Sequence, residues 1–133
     1  MTDLEAAQGG FNDQIGFVVD HCDGTAVKAR LDIDDRHLQP FGLVHGGVYA
    51  AIAEALASMG TYIGTGGDRF VAGSSNLTHF LRPVFKGDAI TCTGAPIHTG
   101  RTQWIWDIEV LNGEGKRCAT TRVTIAVRDA PKG

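Results

Sequence analysis

Residues 25–33, TAVKARLDI, alternate between apolar and polar positions. Val27, Ala29, Leu31 and Ile33 fall on one side, Lys28, Arg30 and Asp32 on the other. That period of two predicts a half-buried strand. The same pattern returns near the end of the chain. In RTQWIWDIEVL (101–111), Trp104, Trp106, Ile108 and Val110 share a face. In KRCATTRVTIAVR (116–128), Ala119, Thr121, Val123, Ile125 and Val127 do the same. Asn112-Gly113 between these two runs is a hairpin signal. FVAGSSNLTHFLRP (70–83) and DAITCTGAPIHT (88–99) give two more strands, with Pro96 marking an edge or a bulge in the second. IGFVVDH (15–21) predicts a short first strand. Residues 1 to about 13 are expected to form an arm or a short helix.

One stretch follows a different period. Val48, Ala51, Ile52, Ala55, Leu56 and Met59 recur at i, i+3, i+4, i+7, i+8 and i+11, the apolar face of a helix. Ala50, Ala53 and Ala57 occupy the side where a surface helix carries charge. The helix is therefore expected to be enclosed on most sides. Pro40 and Gly42 break regular structure before it, and GTGGD (64–68) ends it. The element order is β-β-α-β-β-β-β. The fold class is α+β, one long helix with an antiparallel sheet wrapped on it.

Glu54 is the only charged residue between Gly46 and Gly67. Burying a carboxylate without partners costs several kcal/mol. No Lys or Arg stands at i±3 or i±4 to pair with it. Ser58, one turn on, is positioned to hydrogen-bond it. Two explanations stay open on these facts: a functional acid, or an acid paired with a distant cation. At the start of the same helix stands His45-Gly46-Gly47. A helix N-terminus presents unpaired N–H groups and the positive end of a dipole. Glycine there admits a ligand oxygen close to the backbone. The combination suits a carbonyl that gains negative charge during acyl transfer. The plainer alternative is a His45 cap with glycines that permit tight packing.

Composition limits the partners. At 133 residues the chain is expected to be one domain, 1–133. A net charge of −3 offers no nucleic-acid footprint. No apolar run approaches the roughly 20 residues of a membrane helix. The polar, acidic start MTDLEAAQGG does not resemble a signal peptide. Cys22, Cys92 and Cys118 have no metal spacing and imply reduced thiols in a cytoplasmic protein. The five histidines (21, 37, 45, 79 and 98) show no ligand spacing either, so no metal or cofactor is expected.

The stretch Gln39–Gly60, with SSNLTHFLRPV (74–84) and HTGRT (98–102), resembles the hotdog-fold acyl-CoA thioesterases. It is most similar to the PaaI-like group acting on aryl-CoA thioesters, such as 1,4-dihydroxy-2-naphthoyl-CoA and 4-hydroxybenzoyl-CoA. The specific element is Gln-Pro-x-Gly-x-x-His-Gly-Gly (39–47), with Glu54 seven residues after the last Gly and Ser58 four further on. The resemblance spans about residues 15 to 128. It implies that the helix is the sausage and the sheet the bun. It makes Glu54 the catalytic carboxylate, acting on the thioester carbonyl or on water. The Gly46 N–H polarises the carbonyl, Gln39 and His45 help orient it, and Ser58 positions the nucleophile. His79 contacts the acyl part or its water, although it also suits a satisfied core or interface histidine. His21, His37 and His98 are set aside. Arg82, Lys86 and Arg101 are the candidates for the CoA phosphates, with solvated surface charge as the alternative. Trp104 and Trp106 are assigned to packing.

The resemblance also implies a homodimer, commonly paired into a homotetramer, with the active site at the dimer interface. Two other functions compete. Hotdog hydratases use an Asp/His pair in a Gly-Asp-x-Asn-Pro-x-His context, which is absent here. A non-catalytic acyl-CoA binding domain could dispense with the carboxylate, yet Glu54 and Ser58 are both present.

Overall fold

The computed structural model describes residues 9–131. Helix α1 (Gly10–Ile15) is followed by β1 (Val18–Cys22) and β2 (Val27–Asp32). A 3₁₀ turn (Asp35–His37) leads to α2 (Gly46–Gly64). Then come β3 (Phe70–Phe80), β4 (Ala89–Thr99), β5 (Gln103–Leu111) and β6 (Arg117–Arg128). The six strands form one sheet in the order β1-β2-β4-β5-β6-β3, every pair antiparallel. Helix α2 lies on one face of the sheet, chiefly on β3 and β6. This is the α+β hotdog architecture.

The alternating strands bury the faces their sequences specify. Val27, Ala29, Leu31 and Ile33 are buried, as are Trp104, Trp106, Ile108 and Val110. Thr121 joins Ala119, Val123, Ile125 and Val127 under the helix. Pro96 sits at a register shift between Pro96 and His98, beyond the Val27–Gly94 pair where β2 begins. Its missing N–H is tolerated there. The first strand starts later than its apolar run. Ile15 closes α1, and Gly16 adopts the left-handed conformation (φ 82) that stops it. The rest of the expected N-terminal arm, residues 1–8, lies outside the described residues.

The helix is rotated relative to its apolar stripe. Tyr49, Ile52, Ala53, Leu56, Ala57, Met59, Gly60 and Thr61 are buried, while Val48, Ala51 and Ala55 are only half-buried. The small residues explain this. A Cβ at Gly60 would lie 2.6 Å from the Trp106 ring, and one at Gly64 equally close to Trp104. The Ala and Gly side is the side that lets the helix approach the sheet. Trp104 and Trp106 stack with centroids 6.1 Å apart, and the Trp106 indole N–H donates to Thr61 Oγ1 (2.9 Å). Both tryptophans are packing elements.

The two sheet edges are β1 and β3. The β3 edge is 11 residues long and mostly exposed. Phe70, Leu77 and Phe80 on β3, with Leu81 and Phe85 just after it, are large exposed apolar residues.

Candidate active site

Glu54 lies on the side of α2 that the sheet does not cover. Its expected burial is not found within one chain: Glu54 is exposed and lines a groove of about 830 Å³ between α2 and β3. Ala50, Ala51, Ala55, Ser58 and Met59 form the helix wall, and Val71 and Asn76 part of the strand wall. Gly73 makes the room. A Cβ there would stand 2.8 Å from Glu54 Cδ and 3.0 Å from Oε2. A register shift between Gly73 and Ser75 bends β3 at the same point.

The partner of the acid is Asn76. Its Nδ2 donates to the Ala50 carbonyl at 2.9 Å and to Glu54 Oε1 at a longer 3.4 Å. Thr78 Oγ1 donates to Asn76 Oδ1 (2.8 Å) and contacts Thr121 Oγ1 (3.0 Å), which fixes the amide's orientation. Ser58 lines the same groove, but among the described residues no hydrogen bond joins it to Glu54. A distant cation does not pair with Glu54 either, among the described residues. Sequence reasoning missed Asn76 and Gly73, because both come from a strand that meets the helix only in the folded chain. A glycine inside a strand is itself a signal of close approach.

Gly46 opens α2, and His45 is its N-cap. His45 Nδ1 accepts the Gly47 N–H at 2.8 Å. His45 is held in turn by its own N–H on the His37 carbonyl (2.8 Å). His37 is buried and structural. Its Nδ1 accepts from the Asp34 N–H, which places the proton on Nε2 for the Ile15 carbonyl. Gly46 has a packing role, since the Phe80 ring occupies the space of a Cβ at 2.5 Å. The Gly46 N–H has no acceptor within the helix. Gln39, Gly46, Tyr49, Phe80 and Arg82 line a second cavity of about 400 Å³. The Gln39 side chain accepts from the Phe41 N–H of its own loop.

The other candidates are dispersed. His79 pairs with Thr120 in the sheet, between Thr78 and Phe80, which face the helix side. It opens instead on the outer face of the sheet, with Leu77, Asp107, Glu109 and Arg122. Within one chain it does not meet Glu54. Arg82 shares the Gly46 cavity. Lys86 is engaged by Asp35 at 2.9 Å. Arg101 stands in the β4–β5 turn, three residues before Trp104, which packs on Gly64 at the opposite end of α2 from Gly46. The three cations therefore do not form one cluster. Arg69, which sequence reasoning did not select, lines the Glu54 groove.

Gly46 and Glu54 are eight residues apart on one helix, about 12 Å along its axis. A carbonyl bound at one cannot be attacked from the other in the same chain. Among the described residues, no cluster of His, Cys, Asp or Glu is arranged to hold a metal ion, and no helix is long and apolar enough to cross a membrane.

The fold and the groove define a class, and comparison with known proteins identifies it. The sequence pattern of the Thioesterase superfamily matches residues 41–119. The proofreading thioesterase EntH of Cronobacter sakazakii is 34% identical over 115 residues, covering 86% of this chain and 83% of its own. EntH of Cronobacter turicensis is 38% identical over 101 residues, covering 76% and 73%. The crystal structure of thioesterase HI1161 from Haemophilus influenzae superposes with a TM-score of 0.87 at 28% identity, over 96% of this chain and 89% of the other. The chain belongs to the thioesterase superfamily. It is a hotdog-fold hydrolase of the acyl-CoA thioesterase type.

Proposed function

We propose that the protein hydrolyses aromatic acyl-CoA thioesters, of the hydroxybenzoyl-CoA or 1,4-dihydroxy-2-naphthoyl-CoA type, at a site shared by two subunits. The observation that carries this reading is the position of Glu54. It is an acid held by Asn76 against Gly73, in a groove with the aromatic side chains Phe11, Tyr62 and Phe70. The 12 Å between Gly46 and Glu54 supports the shared site. So does the unpaired, apolar β3 edge, which a second copy can cover.

In this scheme Gly46 of one subunit donates its N–H to the thioester oxygen, with Gln39 beside it. Glu54 of the other subunit acts on the carbonyl carbon by one of two routes. As a general base it takes a proton from water, whose oxygen bonds to carbon. The tetrahedral oxyanion then collapses, the C–S bond breaks, and the CoA thiolate takes that proton. As a nucleophile it bonds to carbon itself, expels the thiolate and leaves a mixed anhydride that water hydrolyses. Ser58, one turn along in the same groove, positions the attacking oxygen. His45 fixes the loop that presents Gly46. Gly47 leaves the backbone open, and Arg82 is the cation best placed for a CoA phosphate. The three buried cysteines, none in a disulfide, fit a reducing compartment.

The test is thiol release from benzoyl-, 4-hydroxybenzoyl- and palmitoyl-CoA, followed with a thiol reagent. The aryl substrates are expected to give the higher kcat/KM. A higher value for palmitoyl-CoA, or no aryl-CoA hydrolysis above background, overturns the reading.

A further inference from the structure

The Glu54 groove extends well past Ser58. Tyr62 lines its far end, two helical turns and about 12 Å from Glu54. Strand β3 runs back beside the helix, since Gly73 touches Glu54 while Asn76 bonds the Ala50 carbonyl. Arg69, four residues before Gly73, therefore lies about 13 Å further along the strand direction, level with Tyr62. Among the described residues lining the groove it is the only basic one, and Glu54 is the only acidic one. The surfaces between them are mostly apolar or aromatic.

Arg69 is partly fixed and partly free. Its Nε donates to the Arg128 carbonyl (3.1 Å), and its side chain is 26% exposed. Its Nη2 lies 3.6 Å from Asp129 Oδ1, a carboxylate that is 99% exposed. A pair so open to water contributes little and yields readily to a better acceptor. A guanidinium carries five N–H donors and no acceptor. The two contacts leave donors over for a group lying in the groove.

We propose that Arg69 determines acyl specificity, selecting aromatic acyl groups that carry an oxygen acceptor, a ring hydroxyl or carboxylate, on the side away from the thioester. This rests on the aryl-CoA reading above and names the feature of the acyl group that the site recognises. The thioester carbon sits at Glu54, and one or two rings lie along the Tyr62 and Phe70 walls. The distal oxygen meets the guanidinium donors that the Arg128 and Asp129 contacts leave over. A site built to hydrogen-bond a substrate oxygen discriminates against the analogue lacking it far more than an apolar pocket can.

The experiment compares kcat/KM for benzoyl-, 4-hydroxybenzoyl- and 4-carboxybenzoyl-CoA in wild type, Arg69→Met, Arg69→Lys and Asp129→Asn. In Arg69→Met the preference for either substituted ester over benzoyl-CoA is expected to fall about tenfold or more, as befits a charge-assisted hydrogen bond, chiefly through KM. Arg69→Lys is expected to keep part of the preference. Asp129→Asn, a change at a fully exposed position, is expected to raise relative activity on the carboxylate ester severalfold by removing a competitor for Arg69. Unchanged ratios in folded Arg69→Met, or equal losses on all three esters, overturn the inference and leave the aryl-CoA reading standing. An unchanged ratio in Asp129→Asn counts against it independently of any folding defect in the arginine variants. Absence of thiol release by wild type from all three esters overturns the aryl-CoA reading and the inference together.

Discussion

The carboxylate of Glu54 rests on the backbone of Gly73, so close that a Cβ on that residue would stand 2.8 Å from Glu54 Cδ. Helix and strand thus share one space for a functional group, and glycine vacates it. Gly73→Ala is expected to push the carboxylate out of place while leaving the sheet paired. A displacement near 1 Å can cost on the order of 10² in rate. The measurement is kcat on the best aryl-CoA, with a melting curve as the folding control. Wild-type kcat in Gly73→Ala means that the observed Glu54 position is not the working one.

Glu54 itself is expected to carry the chemistry. Glu54→Ala should lower kcat by about 10²–10⁴, the range of a positioned acid–base group. Glu54→Gln should fall similarly, since it keeps shape and hydrogen bonding but neither basicity nor nucleophilicity. Asn76→Ala should cost less, because it frees the carboxylate without removing it. Steady-state kinetics on the three folded variants decides the order. A Glu54→Gln variant with wild-type turnover removes the acid from the mechanism.

The strands were legible because period-two alternation follows directly from the pleat. Val27 to Ile33 and Trp104 to Val110 bury the faces their sequences specify. The helix was legible as an element but not in its rotation. Its apolar stripe includes Val48, Ala51 and Ala55, which end only half-buried, whereas close packing on Trp106 and Trp104 turns in the side with Gly60 and Gly64, along with Ala53 and Ala57. Volume at the contact outweighed hydrophobicity. Glu54 and Gly46 stood out in the sequence because each breaks its local pattern. Asn76, Gly73 and Arg69 did not, because β3 reaches the helix only through its long-range pairing with β6. The outer placement of His79 has the same origin. Alternation shows that His79 opposes Thr78 and Phe80, but not which of them faces the helix.

The helix–sheet contact gives a stability prediction. Gly60→Ala places a methyl 2.6 Å from the Trp106 ring, and the Asp23 carbonyl is also close, at 3.0 Å. Trp106 is fully buried and tied to Thr61, so it has little room to move. Overpacking of this kind costs about 1–3 kcal/mol, against a helix-propensity gain of up to about 1 kcal/mol for replacing glycine with alanine. Urea unfolding should show a net loss. Equal or greater stability would mean that the helix can lift off the sheet at little expense.

The thiols give a chemical prediction. Cys22, Cys92 and Cys118 are all buried, and none forms a disulfide. Burial pushes the Cys92 thiol up to about 12 and raises that of Cys118. A thiol whose folded value lies above its ordinary one near 8.5 stays protonated and inert at pH 8. Native protein should therefore react slowly with a thiol reagent, and denatured protein should react at all three cysteines. This also keeps the protein's own signal low in the CoA-release assay. Rapid labelling of the native protein at pH 8 would contradict the burial of these residues.

The last prediction concerns assembly. Gln39 and Gly46 line one cavity, and Glu54 stands about 12 Å further along the same helix. If the two parts of a site come from different subunits, two separately inactive variants, Glu54→Ala and Gln39→Ala, must complement each other. Random re-pairing makes about half of the dimers hybrid. In each hybrid one site carries both substitutions and the other carries neither, so about a quarter of wild-type activity should return. The measurement is aryl-CoA turnover after subunit exchange, with exchange proved by co-purification through a tag on one variant. Each variant must first be shown to be nearly inactive alone. Proven hybrids without activity would place Glu54 and Gln39 in one subunit's site and end the shared-site model.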